Sequence, residues 1–319
     1  MVKVVALFAL GLVLICLGGD RLVDSAVAIA KRLKIPEMVV GATIVSLGTT
    51  LPEILVSTTA ALQGALQGVE GAADISAGNA FGSIICNTAL IAGLTQLLAP
   101  SKKVTRSSIT WRAAMFFAIS MGLIAVGLFT GKFNRITGIA LLVCFCVYAV
   151  ANVKFPGGEN EEEKKEEKQG SLWVQLLTLA VCAALLYFGA NLLVDNGIIL
   201  ADALHVPKRV IAVTFIALGT SLPELVTSLV SIIKGYGNVG LGNIVGANIL
   251  NLVLVMGIPA AITGISLNSS TIRVDAVLGV VVMAVLTVPL MIKQRAYRLQ
   301  GGALLAIYAG YVVSSFMVK

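Results

Sequence analysis

Charge is what this chain has least of. Only 12% of its 319 residues are Asp, Glu, Lys or Arg, against 58% hydrophobic residues, one histidine and two tryptophans, and the mean hydropathy is +0.97. A soluble domain of average usage carries roughly twice that share of charge, so a water-facing globule is excluded. The single histidine, His205, sits in a loop, and the chain has neither His-Glu-x-x-His nor Gly-x-Ser-x-Gly. Their absence argues against an intramembrane enzyme of the common hydrolase types. The five cysteines (Cys16, Cys86, Cys144, Cys146, Cys182) lie in apolar runs without metal-ligand or paired spacing, and are read as small core hydrophobes. The net charge of +7 comes from loops between apolar runs, with no interleaved basic and aromatic surface motif. Membrane topology accounts for it, and no nucleic-acid partner is expected.

What the chain does have is long apolar runs. The first, after Lys3, superficially resembles a secretion signal, but it continues through Asp20, Arg21 and Asp24 without a cleavage site and is read as a first helix. A bilayer span needs about 20 apolar residues. That window predicts segments near Val4 to Arg32, Pro36 to Gln63, Asp74 to Leu98, Ser107 to Thr130, Ile136 to Val153, Ser171 to Ala203, Val210 to Lys234, Val239 to Thr263, Ile272 to Ile292 and Gly301 to Met317. An acidic and basic run, Glu161 to Lys168, divides them into two sets of five and reads as a solvated linker; it lacks the Asp/Asn/Gly pattern of a calcium loop.

The two sets align. Gly18, Asp24, Pro36, Gly48 and Glu53 match Gly189, Asp195, Pro207, Gly219 and Glu224 at a constant spacing of 171 positions. A second block, Gly78 to Asn87, matches Gly242 to Asn251 at a spacing of 164. With an odd number of spans per half, the second half enters the membrane from the opposite side, as in many secondary transporters. The expected fold is therefore an all-α membrane protein with ten transmembrane helices in two inverted five-helix repeats: residues 1–153, an acidic cytoplasmic linker at 154–170, and residues 171–319. Lys31, Arg32, Lys34, Lys102, Lys103, Arg106, Lys234 and Arg295 all fall on the linker side, which the positive-inside rule places in the cytoplasm with both termini outside.

The matched blocks carry the chemistry. Gly48-Thr49-Thr50-Leu51-Pro52-Glu53 and Gly219-Thr220-Ser221-Leu222-Pro223-Glu224 each set a carboxylate, two hydroxyls, a glycine and a proline within an apolar span. An ionisable group at mid-membrane costs roughly 2.5–3.5 kcal/mol on insertion scales, which makes it a functional group by default. Proline has no N–H, so Pro52 and Pro223 leave the carbonyls of Gly48 and Gly219 free, and broken helices are expected at the ion site. Thr49 or Thr50 shares a face with Glu53 wherever the backbone is helical, and Asn79, Ser83 and Asn87 stack at four-residue spacing opposite Asn243, Ala247 and Asn251. Asn87 and Asn251 read as ligands; Asn79 and Asn243 read equally well as helix-to-helix hydrogen bonders. Asp24, Asp195 and Asn191 read as caps or loop contacts. All the site donors are hard oxygens, which suits Ca²⁺ or Na⁺ and disfavours zinc, copper or iron–sulfur chemistry.

These residues resemble the calcium/cation antiporter superfamily, and within it the prokaryotic sodium/calcium exchangers. The doubled Gly-Thr-Thr/Ser-Leu-Pro-Glu blocks and the Gly-Asn-x-x-Gly blocks ending in Asn87 and Asn251 carry the resemblance, which extends over nearly the whole chain. It implies alternating access, with about three Na⁺ entering and one Ca²⁺ leaving. It also implies a site lined by Thr49, Thr50, Glu53, Ser83, Asn87, Thr220, Ser221 and Glu224, with backbone carbonyls from Ser46 and Ala217. Two positions depart from the pattern. Ala247 stands where a serine is expected, removing a sodium ligand. Asn251 stands where many members carry aspartate, which in the family goes with potassium dependence. The expected partners are Ca²⁺ and Na⁺ as substrates and the lipid bilayer, with no prosthetic group and a monomeric chain; H⁺ is the alternative counter-ion. A channel is disfavoured, because selectivity rings come from identical loops of an oligomer.

Overall fold

The computed structural model describes residues 1–67, 74–99, 104–155, 171–203, 217–267 and 270–317. The acidic linker run, His205, Pro207, Lys102, Lys103 and the start of the seventh predicted segment lie outside those residues. The described chain is helical. In order it forms α1 (Val2–Leu33), α2 (Glu37–Thr49), α3 (Leu51–Gln67) and α4, which runs from Asp74–Ile85 through a π-helical stretch, Cys86–Ala92, to Gly93–Leu98. Then come α5 (Arg106–Thr130), α6 (Arg135–Lys154), α7 (Leu172–Ala203), α8 (Ala217–Thr220) and α9 (Leu222–Ile233). Next is α10, from Gly237–Leu250 through π-helical Asn251–Val255 to Gly257–Ile262. Last are α11, from π-helical Thr271–Ala276 into Val277–Lys293, and α12 (Arg298–Met317).

Seven of these helices are long and apolar enough to cross a membrane, and α2 with α3 makes an eighth if that bent pair is one span. The outer surface is correspondingly greasy, with Leu17, Phe129, Ile136, Val147, Trp173 and Leu177 all exposed. Cys16 and Cys146 lie on this exposed side while Cys86 and Cys182 are buried, so only part of the cysteine set belongs to the core. The reason is helical periodicity: a small apolar residue on an all-round apolar helix meets lipid as readily as protein.

Helices α4 and α10 form the centre, and the α10 stretch Val239–Met256 is buried almost without interruption. Close packing there depends on backbone. A Cβ at Gly41 of α2 would lie 2.2 Å from the Val239 carbonyl of α10, and one at Gly242 would lie 2.4 Å from the Met38 carbonyl of α2. Small residues that let backbones touch are the ordinary currency of helix association in lipid, where apolar burial alone offers little drive. The same device joins α1 to α7, with Gly11 against Gly189 and Gly18 against Cys182. It also joins α4 to α12 through Gly93 and Gly301, and α6 to α10 through Gly138 and Gly257. A short ribbon pairs Lys132–Phe133 with Ile265–Ser266 antiparallel.

Asp24 is neither a cap nor a loop contact. It lies inside α1, where it and Asp20 flank Lys234 at the end of α9, at 2.8 and 2.7 Å. The pairing needed tertiary contact between α1 and α9, which no local spacing signals.

Candidate cation site

The chain breaks where the two matched blocks expect it to. The axis turns by 45° between α2 and α3, with Thr50 at the joint. In the second half Ser221 is the residue between α8 and α9. Each proline falls in the first turn after its break, where a missing N–H leaves no bond unmade. Each glutamate follows at the third position of the new helix, where carboxylates are favoured by the exposed N–H groups.

The consequence is a crossed arrangement. The hydroxyl of Thr50 donates to Glu224 Oε1 at 3.2 Å, and the hydroxyl of Ser221 faces Glu53 Oε1 at 3.5 Å. Ser83 stands against the same Glu53 carboxylate, and Glu53 lies in the field of Glu224. Both glutamates are fully buried, at 0% exposure. Because the helix bends at Thr50, Thr49 and Thr50 do not continue the face of Glu53; they reach across to the other half.

Several buried oxygens have no hydrogen-bond partner among the described residues: Glu53 Oε2, Glu224 Oε2, Asn87 Oδ1, Asn251 Oδ1 and Ser228 Oγ. A buried polar group left unpaired costs about 1–3 kcal/mol, more if charged, so such a cluster marks a place built to receive something. Neither glutamate has a Lys or Arg at ion-pair distance among the described residues. Asn251 opens one of the two matched π-helical stretches and Asn87 is the second residue of the other, a wide turn that often occurs at functional sites.

Other predicted positions are more occupied. Thr49 donates to the Ser46 carbonyl at 3.3 Å and to Asn243 Oδ1 at 3.2 Å. The Ser46 carbonyl also takes the Thr50 N–H at 2.9 Å, so a cation there would displace the threonine hydroxyl. Thr220 is half-buried, and Ala217 contributes backbone at the start of α8. Asn79 donates to the Glu53 carbonyl and to Ser57, and Asn243 donates to Thr227, so both serve as links between helices. Sequence reasoning passed over Ser57 and Ser228. They are 171 positions apart and one turn beyond the two glutamates, so the repeat spacing does mark them. It gave no signal for Asn248, which donates to Thr88 at 2.6 Å.

Paired carboxylates, hydroxyls and amide oxygens, sealed inside a bundle of membrane-length helices, define a membrane protein that handles hard cations. The chain matches the family described as "Sodium/calcium exchanger protein" over residues 3–154 and 174–317. It is 34% identical to the inner membrane protein YrbG of Escherichia coli K12, over 82% of this chain and 81% of that one. It is 28% identical to the sodium/calcium exchanger MaX1 of Methanosarcina acetivorans, over 97% of each. The solved structure of the sodium-calcium exchanger NCX_Mj superposes with a TM-score of 0.82 at 30% identity, covering 98% of this chain and 99% of that one. This chain belongs to the sodium/calcium exchanger family: it is a membrane transporter, a cation/Ca²⁺ antiporter.

Proposed function

We propose that the protein exchanges Ca²⁺ for Na⁺ across the cytoplasmic membrane by alternating access, around a site formed by Glu53, Glu224, Thr49, Thr50, Ser83, Asn87, Thr220, Ser221 and Asn251, with the carbonyls of Ser46 and Ala217. The observation that carries this reading is the crossed carboxylate pair, each glutamate touched by a hydroxyl from the other half and each keeping an unpartnered oxygen. Two carboxylates neutralise one divalent ion, and Ca²⁺ accepts six to eight oxygens in adaptable geometry. The hydroxyls suit a dehydrated Na⁺.

Two inverted five-helix repeats, residues 1–153 and 171–319, joined by a cytoplasmic linker at 154–170 with both termini outside, supply the two-sided access. Paired contacts support that plan. The contact of Gly11 with Gly189 and that of Gly18 with Cys182 exchange under the 171-position shift, since Gly11 corresponds to Cys182 and Gly18 to Gly189. Gly93 with Gly301 and Gly257 with Gly138 exchange likewise, at shifts of 164 and 163. A two-fold relation between halves produces such pairs; a tandem arrangement does not.

Proteoliposomes loaded with Na⁺, K⁺ or acid test the coupling. Uptake of ⁴⁵Ca²⁺ driven by an outward Na⁺ gradient, accompanied by a net outward movement of positive charge that leaves the lumen negative and that a potential dye reports, is the expected result. Uptake that follows only a pH gradient and is electrically silent replaces Na⁺ by H⁺.

Asn251 gives a second test. Asn251→Asp adds a third carboxylate to the buried set, and two like charges at close range hold a proton on one of them. Ca²⁺ affinity falls more steeply on acidification in the variant than in the wild type. Superimposable titrations of variant and wild type place Asn251 outside the site.

A further inference from the structure

We propose that Arg112 and Tyr148 are positioning residues for the first-half cation ligands, holding the helix that carries Ser46, Thr49 and Thr50 in register. The inference rests on the site assigned above and adds a part that neither the repeat motif nor the ligand set contains. Arg112 is wholly buried. It lies about 9 Å along α5 from Arg106 at a rise of 1.5 Å per residue. A guanidinium at such depth in a membrane span is costly and normally answers a carboxylate or a substrate. Arg112 has neither.

Its partners among the described residues are neutral. One nitrogen donates to the Ser108 carbonyl at 2.8 Å and to the Ser108 hydroxyl at 2.6 Å, and the other to Asn152 Oδ1 at 2.7 Å. The charge stacks 4.4 Å from the centre of the Trp111 ring, which in turn lies 5.9 Å from the ring of Tyr148. Asn152 then donates to the Tyr148 carbonyl at 2.9 Å. A cation-centred cluster thus fixes α5 against α6 at Tyr148.

Tyr148 spans the remaining distance. Its hydroxyl, 1% exposed with the rest of the residue, donates a short hydrogen bond to the Ala42 carbonyl. Ala42 belongs to the π-helical turn Gly41–Val45 of α2, directly before Ser46, Thr49 and Thr50. On its other side the same residue abuts Gly246 of α10, where a Cβ would lie 2.6 Å from the Ala42 carbonyl oxygen and 2.7 Å from the Ser46 hydroxyl. The segment is clamped between a phenol from α6 and a backbone from α10. A shift of Ala42 by a fraction of an ångström carries Ser46 and the two threonines with it.

The second half is built differently at the corresponding place. The residues 163 positions on from Arg112 and Tyr148 are Asp275 and Tyr311, and there the tyrosine hydroxyl donates to the aspartate at 3.1 Å. In one half a buried cation supports a tyrosine aimed at the ligand helix; in the other a carboxylate accepts the hydrogen bond of the tyrosine hydroxyl. Helix packing alone gives no reason for opposite charges at matched positions.

Purified, reconstituted full-length protein tests this with two readouts. Tyr148→Phe keeps the ring and removes the hydroxyl. It is expected to raise amide hydrogen exchange in residues 41–50 about tenfold. The Ca²⁺ half-saturation in ⁴⁵Ca²⁺ binding should rise about threefold to tenfold, the worth of one net hydrogen bond, with maximal flux within about twofold of wild type. Arg112→Gln gives the same pattern, and Arg112→Lys restores part of it. Tyr311→Phe changes half-saturation by less than about twofold. The proposal is overturned if Tyr148→Phe leaves exchange in 41–50 unchanged, if Tyr311→Phe weakens binding equally, or if the variants lose thermal stability at constant affinity. Wild-type protein that binds no Ca²⁺ refutes the transport reading instead, and the exchange arm still decides the clamp.

Discussion

Glu53→Gln and Glu224→Gln each abolish Ca²⁺ transport, lowering ⁴⁵Ca²⁺ flux by at least about 100-fold. Glutamine keeps the size of the side chain and an oxygen for the Ser221 or Thr50 hydroxyl, so the crossed contacts persist and the protein folds. What disappears is one unit of charge. The remaining glutamate leaves a divalent ion half neutralised inside protein, where an unbalanced charge costs several kcal/mol even after relaxation. A tenfold loss per 1.4 kcal/mol makes 100-fold a low estimate. Near-normal flux in either variant, measured on protein of wild-type size-exclusion profile, removes the carboxylate pair from the mechanism.

Gly41→Val and Gly242→Val are expected to eliminate folded protein. Even the first carbon of a side chain at these positions meets backbone oxygen, at 2.2 and 2.4 Å, and backbone cannot rotate aside. The only relief is to move α2 away from α10, which breaks the contact of Thr49 with Asn243 and lifts Ser46 and Thr49 off the core. Overpacking typically costs about 1–3 kcal/mol, and two branched methyls against two facing backbones exceed that range. Any folded fraction recovered in detergent should melt more than about 10 °C below wild type. Gly122→Ala is the control, because a Cβ there meets nothing within 4 Å. Glycine is the poorer helix former at either site, so an equal loss at Gly122 shows that the contact with α10 is not what the substitution measures.

The sequence was legible where chemistry is local. Apolar length predicted membrane helices, and the Pro52 and Pro223 blocks predicted the breaks found at Thr50 and Ser221. Doubling of the block pointed to Glu53 and Glu224 as a pair. What could not be read is who touches whom. Spacing along a helix suggested that Thr50 serves Glu53, but a break rotates one side of a motif relative to the other, and the hydroxyl serves Glu224. The wide turns at Asn87 and Asn251 leave no compositional mark, because the α-helical stretches that precede them carry asparagines among apolar residues as well. Lys234 with Asp20 and Asp24, and Arg112 with Asn152, join residues 40 to 214 positions apart, beyond any local periodicity.

The buried glutamates also bear on leakage. With no arginine or lysine at ion-pair distance among the described residues, an unloaded carrier would have to take two bare negative charges through a medium that solvates ions poorly. Only when cargo or protons cancel those charges is the passage between faces easy. A return stroke without freight is therefore the slow one, and the protein is held to strict swapping: it does not let the ion gradient that drives it run down unused.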